Sequence, residues 1–275
     1  MTLPPPQPPP PPAASEHEAP RWPAWYAPVA FVTAFMVLLV AVVPLYAVAG
    51  KDAAEDPPAW MVIAATLIQS VVFTGVALLF ASMTRRPRAW HFGLRRTRFW
   101  RAVGIAALGL LVFYVFAAVY AAIVQPDVEQ DVAQDLGADQ GTVGLILAGF
   151  MVIAVAPVAE EFFFRGFFYR ALRSRLAVVP AALIDGVVFG LLHFEDAESL
   201  LILPPLAVLG FVFCLVYERT GSLYPVIALH AFNNAIAYGA QADAWEVSAV
   251  LGPLAIAACV LAPRLTRPAP VPAFR

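Results

Sequence analysis

The chain has 275 residues, 61% of them hydrophobic and 13% charged, with a formal net charge of −2. That balance lies far from a soluble domain's, and it leaves no basic surface on which nucleic acid would be held. The two cysteines, Cys214 and Cys259, sit inside apolar segments without metal-binding spacing, so they imply no disulfide framework and read as inert.

From Pro4 to Pro12 the chain is nearly all proline and has little to bury, so residues 1–22 read as a solvated, polyproline-like tail. Ala47-Val48-Ala49 mimics a signal cleavage site, but the apolar run before it is too long for a signal peptide. It reads as a retained first membrane helix. Eight stretches are long and apolar enough to cross a bilayer: roughly 24–49, 60–81, 102–124, 142–164, 179–195, 200–217, 223–240 and 245–262. None has the short alternation of barrel strands, so the expected fold is all-α, a polytopic transmembrane helical bundle of about eight spans.

Charges in the connectors orient the bundle. Seven arginines (Arg85, Arg86, Arg88, Arg95, Arg96, Arg98 and Arg101) crowd the connector after span two. Arg170, Arg173 and Arg175 follow span four, and Arg264, Arg267 and Arg275 follow span eight. The connector after span three holds Asp127, Glu129, Asp131, Asp135 and Asp139 and no basic residue. Basic connectors stay in the cytoplasm, which places both termini there. Trp90 and Trp100 would lie at the same interface, where the arginines also suit anionic lipid heads.

Within this apolar chain a few polar residues stand out. Glu160 and Glu161 are adjacent in a membrane-length run, where an unpaired carboxylate costs several kcal/mol. Neighbours on a helix point about 100° apart, so the two carboxylates serve different tasks. Glu161 precedes Arg165 by four residues, the favourable order for an ion pair, which leaves Glu160 free to face another element. Pro157 removes a backbone bond just upstream and can open the helix. If a hairpin turns near Ala177 to Pro180, Glu160 and His193 both lie about 25 Å from the turn, at matching depth. The same counting sets Asp185 opposite Arg170. Gly186 and Gly190 form a small-residue stripe for close helix approach. His230 and Asn234 share one face of span seven, which begins cleanly after Thr220-Gly221-Ser222 with Pro225 in its first turn. His193 abuts the acidic Glu195-Asp196-Glu198 connector while His230 lies nearer the basic end. The two meet only if the hairpin after span four projects unevenly.

Three signatures, Glu160-Glu161-x-x-x-Arg165, Phe189-x-x-x-His193 and His230-x-x-x-Asn234, match in identity, spacing and order those of the CPBP family. That family comprises the CAAX prenyl endopeptidases of the Ras-converting type and their bacterial relatives. The resemblance covers roughly residues 142–240, between N-terminal helices at 23–141 and a last helix and tail at 241–275.

The resemblance implies an intramembrane endopeptidase in which Glu160 and His193 bind and activate water, while His230 and Asn234 stabilise the oxyanion. Glu161 and Arg165 would support them. If zinc is used, Glu160, His193 and His230 would be its ligands, with a fourth position left for water. No His-Glu-x-x-His helix is present, and a metal-independent, glutamate-activated water fits equally well. The expected partners are membrane lipids and a peptide or lipidated peptide, in a bacterial cell membrane. The alternative is a non-catalytic binding or immunity protein of the same fold that sequesters hydrophobic peptides. A transporter is a weaker third reading, since no paired broken helices or internal repeat are evident.

Overall fold

Eight helices occupy the eight apolar stretches, in a computed structural model that describes residues 21–54, 56–126, 132–194, 197 and 199–265. Residues 1–20 of the proline-rich tail, Asp127, Glu129, Asp131, Glu195, Asp196, Glu198, Arg267 and Arg275 lie outside the described residues, whereas Trp22, expected in the solvated tail, is buried against Phe92 and Phe167. The helices are α1 Tyr26–Ala49, α2 Ala59–Ser82, α3 Phe99–Val124, α4 Gly141–Arg173, α5 Val178–Leu191, α6 Leu203–Thr220, α7 Tyr224–Gln241 and α8 Trp245–Leu265. Among the described residues there is no strand.

Six of the eight are long and apolar enough to cross a membrane. The 14-residue α5 is too short, and the 18-residue α7 is diluted by His230, Asn233, Asn234 and Gln241. Large side chains such as Val40, Val71 and Ile123 face outward, as hydrocarbon allows and water does not. The expected punctuation is present. Prolines open α6 and α7, and Gly221 ends α6 in the left-handed conformation at φ 64°.

α4 is continuous but not uniform. Ala156 N–H bonds back to the Met151 carbonyl and Tyr169 N–H to that of Phe164, five residues each way, so π-helical turns occupy Met151–Val155 and Phe164–Phe168. The second lies directly after the glutamate pair. Its phenylalanines pack into an aromatic core with Phe73, Phe92 and Trp22.

α4 runs beyond the start of α7 and ends beside the end of α6, where Arg173 meets Glu218. Gly166 packs against Leu223, at the start of α7, and against Phe92 in the connector after α2. α4 then runs on to Arg173, about 10 Å farther. The two histidines do meet, since both rings contact that of Phe189. Glu160 and Glu161 stand five or six residues above Gly166, and His230 seven above Leu223, so they are level.

Asp185 is not opposite Arg170. It pairs with Arg165, whose Nε lies 3.3 Å from Asp185 Oδ1, both fully buried. Arg170 instead reaches Tyr217 OH at 3.4 Å and lies over the Trp22 ring. Simple counting treats α4 as a regular helix, and the π-turn at Phe164–Phe168 breaks both its rise and its angular phase. The glycine stripe does bring helices together. A Cβ on Gly186 would stand 2.5 Å from the Ala207 carbonyl oxygen, and one on Gly190 would stand 3.0 Å from Ala207 N, both on α6.

The basic connectors gather at one end. Arg95 Nε donates to Gly221 O, Ser222 Oγ donates to Arg95 O, and Arg96 holds the carbonyls of Pro263 and Arg264 at the end of α8. Arg173 closes a bidentate bond with Glu218 at the end of α6, with Nη2–Oε1 at 2.9 Å. Trp90, expected at the lipid interface, is buried instead, edge-on to His91, while Trp100 is exposed.

Candidate active site

Glu161 is held through one carboxylate oxygen, while the other, Oε2, is buried without a hydrogen-bond partner among the described residues. Its Oε1 accepts from Arg165 Nη1 at 2.9 Å and faces His230 Nδ1 at 2.9 Å, with all three side chains buried. Arg165 Nη2 donates to Gly210 O at 2.8 Å, where the absence of a side chain on Gly210 leaves room for it. Its Nε faces Asp185 as an ion pair but off hydrogen-bond alignment, since the atom has no hydrogen-bond partner. The guanidinium also lies 4.6 Å from the Phe189 ring centroid and 5.1 Å from that of Phe213. Two carboxylates, three aromatic rings (Phe164 being the third) and a carbonyl thus compensate one charge that would otherwise be costly to bury.

Glu160 differs. It is 7% exposed, and its titratable neighbour on another helix is His230, whose Nε2 lies 3.9 Å from Oε2. That is ion-pair reach and too long for a direct hydrogen bond. Glu161 is thus paired with Arg165 within its own helix, and Glu160 faces His230 of a second helix.

His193 lies two residues past the end of α5. One ring nitrogen, Nδ1, is 2.9 Å from the Phe189 carbonyl. A carbonyl only accepts, so Nδ1 carries the hydrogen, and a neutral ring presents Nε2 as a lone pair. His193 makes no ion pair with either glutamate within 4 Å among the described residues. The two histidines instead flank one side chain: the Phe189 ring is 5.1 Å from His193 and 5.8 Å from His230.

Asn234 sits one turn beyond His230, and its Nδ2 donates to Val152 O at 2.9 Å. Val152 lies in the first π-turn of α4. Continuing that register would need an N–H at position 157, which proline lacks, so the Val152 carbonyl is left for a side chain. Asn234 keeps a second N–H.

The structure thus joins Glu160, Glu161, Arg165 and His230 directly, adds Asn234 through α4, and sets His193 alongside through Phe189. Among the described residues no three His, Cys, Asp or Glu side chains converge in a way that could hold a metal ion. The set Glu160, His193 and His230 does not fit a three-ligand site as arranged here. Three participants escaped the sequence reading. Asp185 had been given another partner. Cys214, read as inert, donates its Sγ–H to Asp185 Oδ1 at 3.1 Å. Asn233 Oδ1 accepts from Tyr114 OH of α3 at 3.2 Å; only its place beside Asn234 signalled it.

Fold and site together define a polytopic helical membrane protein with a carboxylate–imidazole cluster buried in its bundle. Residues 142–236, which hold every residue of the three motifs, match the family described as type II CAAX prenyl endopeptidase Rce1-like. The family read from the motifs is the one this comparison returns. "Putative membrane peptidase YdiL" of Bacillus subtilis (strain 168) is 34% identical over 80 residues, 29% of this chain and 31% of its own length. "Uncharacterized protein YyaK" of the same organism is 34% identical over 98 residues, 34% of this chain and 32% of its own. The chain thus matches about a third of the length of these curated relatives. No solved structure matches it significantly.

Proposed function

We propose that the chain is an intramembrane endopeptidase that hydrolyses a peptide bond near or within the bilayer, with Glu160 as general base. One observation carries this reading. Of two adjacent buried carboxylates, Glu161 meets both Arg165 and His230 through Oε1, while among the described residues Glu160 makes no direct hydrogen bond and faces His230 Nε2 across 3.9 Å. A buried charge without an architectural partner is the mark of a working group.

In the proposed step, water adds to the scissile carbonyl carbon as Glu160 takes its proton, and His193 Nε2 orients that water. The carbonyl oxygen becomes an oxyanion held by His230 Nε2–H and the second N–H of Asn234. Collapse breaks the C–N bond, and Glu160 returns the proton to the leaving amine. One such oxyanion donor is worth about 3 kcal/mol in a dry site. With Nδ1–H donated to the Glu161 carboxylate, His230 acts as a donor at Nε2 only as the doubly protonated ring. Glu161 is thus a positioning residue, fixing the tautomer and tilt of His230. No metal enters these steps; cleavage that rises and falls with zinc content would replace them with a zinc-bound water.

The substrate class is a membrane-associated peptide, with C-terminal CAAX-like processing as the family-level case. The basic end of the bundle faces the cytoplasm, in a bacterial cell membrane, with both termini on that side. The lack of direct contact between His193 and Glu160 favours the non-catalytic, peptide-sequestering alternative. Comparing protein termini in cells that carry equal amounts of wild type and Glu160→Ala separates the two. Termini that vanish with the variant support cleavage. Termini retained in the variant reject Glu160 as base, and an unchanged set in all cells supports sequestration.

A further inference from the structure

A trough with a volume of about 500 Å³ lies between α3, α7 and α8, away from the carboxylates. Along α3 its wall runs from Phe99 to Leu110, about 16 Å of helix. That is the depth of about one leaflet of a hydrocarbon core some 30 Å thick. The wall is mostly apolar, with Thr97, Ser222 and Tyr224 among its lining, and among the described residues no acidic side chain lines it. At its basic end stand Arg95, Arg96 and Arg264. Arg96 is fixed there, with Nε on Pro263 O at 2.7 Å and Nη2 on Arg264 O at 3.1 Å, and its Nη1 is outside both bonds. Phe99 and Trp100 are exposed beside this mouth, as aromatic residues are at a membrane interface. The active-site face of α7 points elsewhere, since Ala228 and Phe232 are each two residues, about 200°, round from His230.

We propose that this trough is a binding site for an anionic phospholipid, with one acyl chain along α3 and the phosphate on Arg96 and Arg264. Charge selects the occupant: a basic mouth on an apolar trough one leaflet deep suits an acidic headgroup with its tail. The site does not depend on the chain being a protease.

The test uses the full chain in phosphatidylcholine nanodiscs, with thermal unfolding followed as phosphatidylglycerol is titrated in. Phosphatidylglycerol raises the unfolding midpoint, and equal additions of phosphatidylcholine or inorganic phosphate do not. Each arginine contributes about fivefold to affinity, so Arg264→Gln weakens the response about fivefold and Arg96→Gln/Arg264→Gln about 25-fold. Ala107→Phe, at an exposed position of the trough wall, abolishes it by filling the space. Arg98→Gln/Arg101→Gln, at the start of α3 outside the trough, responds like wild type. Equal stabilisation by neutral lipid or by free phosphate overturns the proposal. So does an undiminished response in Arg264→Gln or Ala107→Phe, or an equal loss in the Arg98/Arg101 control.

Discussion

The side-chain amide of Asn234 donates to the Val152 carbonyl across 2.9 Å, in the place where Pro157 has no N–H to offer. A backbone defect in α4 and a side chain on α7 complete each other, and the bond sets the distance between the helix of the glutamates and the helix of His230. Asn234→Ala leaves that carbonyl unpaired and costs about 1–3 kcal/mol. In a Pro157→Ala background position 157 regains a donor, so the same substitution costs less. Thermal or denaturant unfolding of the four proteins measures the coupling; equal losses in both backgrounds would break the link. Cleavage is lost with Asn234→Ala in either background, because the oxyanion donor is absent from both.

Glu160→Gln and Glu161→Gln should part company. The first abolishes cleavage and leaves stability within about 1 kcal/mol of wild type, since no direct bond is lost. The second breaks a buried charge cluster and costs about 3–5 kcal/mol. Unfolding curves beside a cleavage assay on the same preparations decide the matter.

Asp185→Ala leaves Arg165 without its second counter-charge and costs about 3–5 kcal/mol. Arg170→Gln, which removes the partner that counting assigns to Asp185, costs about 1 kcal/mol or less. A larger effect at Arg170 than at Asp185 would favour the counted register over the observed one.

Acid sensitivity should arise at His91, in the connector between α2 and α3. Its Nδ1 accepts the Arg88 N–H at 3.1 Å, which requires an unprotonated nitrogen. Burial, then the guanidiniums of Arg170, Arg85 and Arg88, lower its pKa from 6.5 to about 4. Between those values the unfolded chain binds the proton and the folded one does not. This contribution to stability is therefore complete above pH 6.5 and disappears as pH falls towards 4. His91→Asn keeps an acceptor without a titrating group, so its unfolding midpoint varies less over that window. Parallel slopes for the two proteins would remove His91 as the cause.

Helix number, order and approximate bounds were legible because hydrocarbon demands long apolar runs and the connectors break them with arginine, glycine and proline. The identities of Glu160, His193, His230 and Asn234 were legible for the converse reason, that such groups are costly in apolar surroundings. The Glu161–Arg165 pair follows from spacing alone. What stayed hidden depends on contacts between helices. The π-turns have no local signature in Met151–Val155 or Phe164–Phe168, and the partner of Asp185 depends on the phase they impose. The bond from Asn234 to Val152 answers a vacancy in another helix, and Cys214 gains its polar role only by lying against Asp185.

Each π-turn accommodates one residue more than an ordinary turn, and α4 carries one on either side of its glutamates. The stretch from Ala156 to Phe163 is therefore clocked independently of both ends of the same rod. Were the turn at Phe164–Phe168 to relax to ordinary α-helix with no residue removed, hydrophobicity, length and motif would be intact while the acidic pair turned about 100° relative to the hairpin. In this fold the aim of the reactive side chains is a property of helical pitch, and a change of pitch that leaves every residue in place would suffice to disarm them.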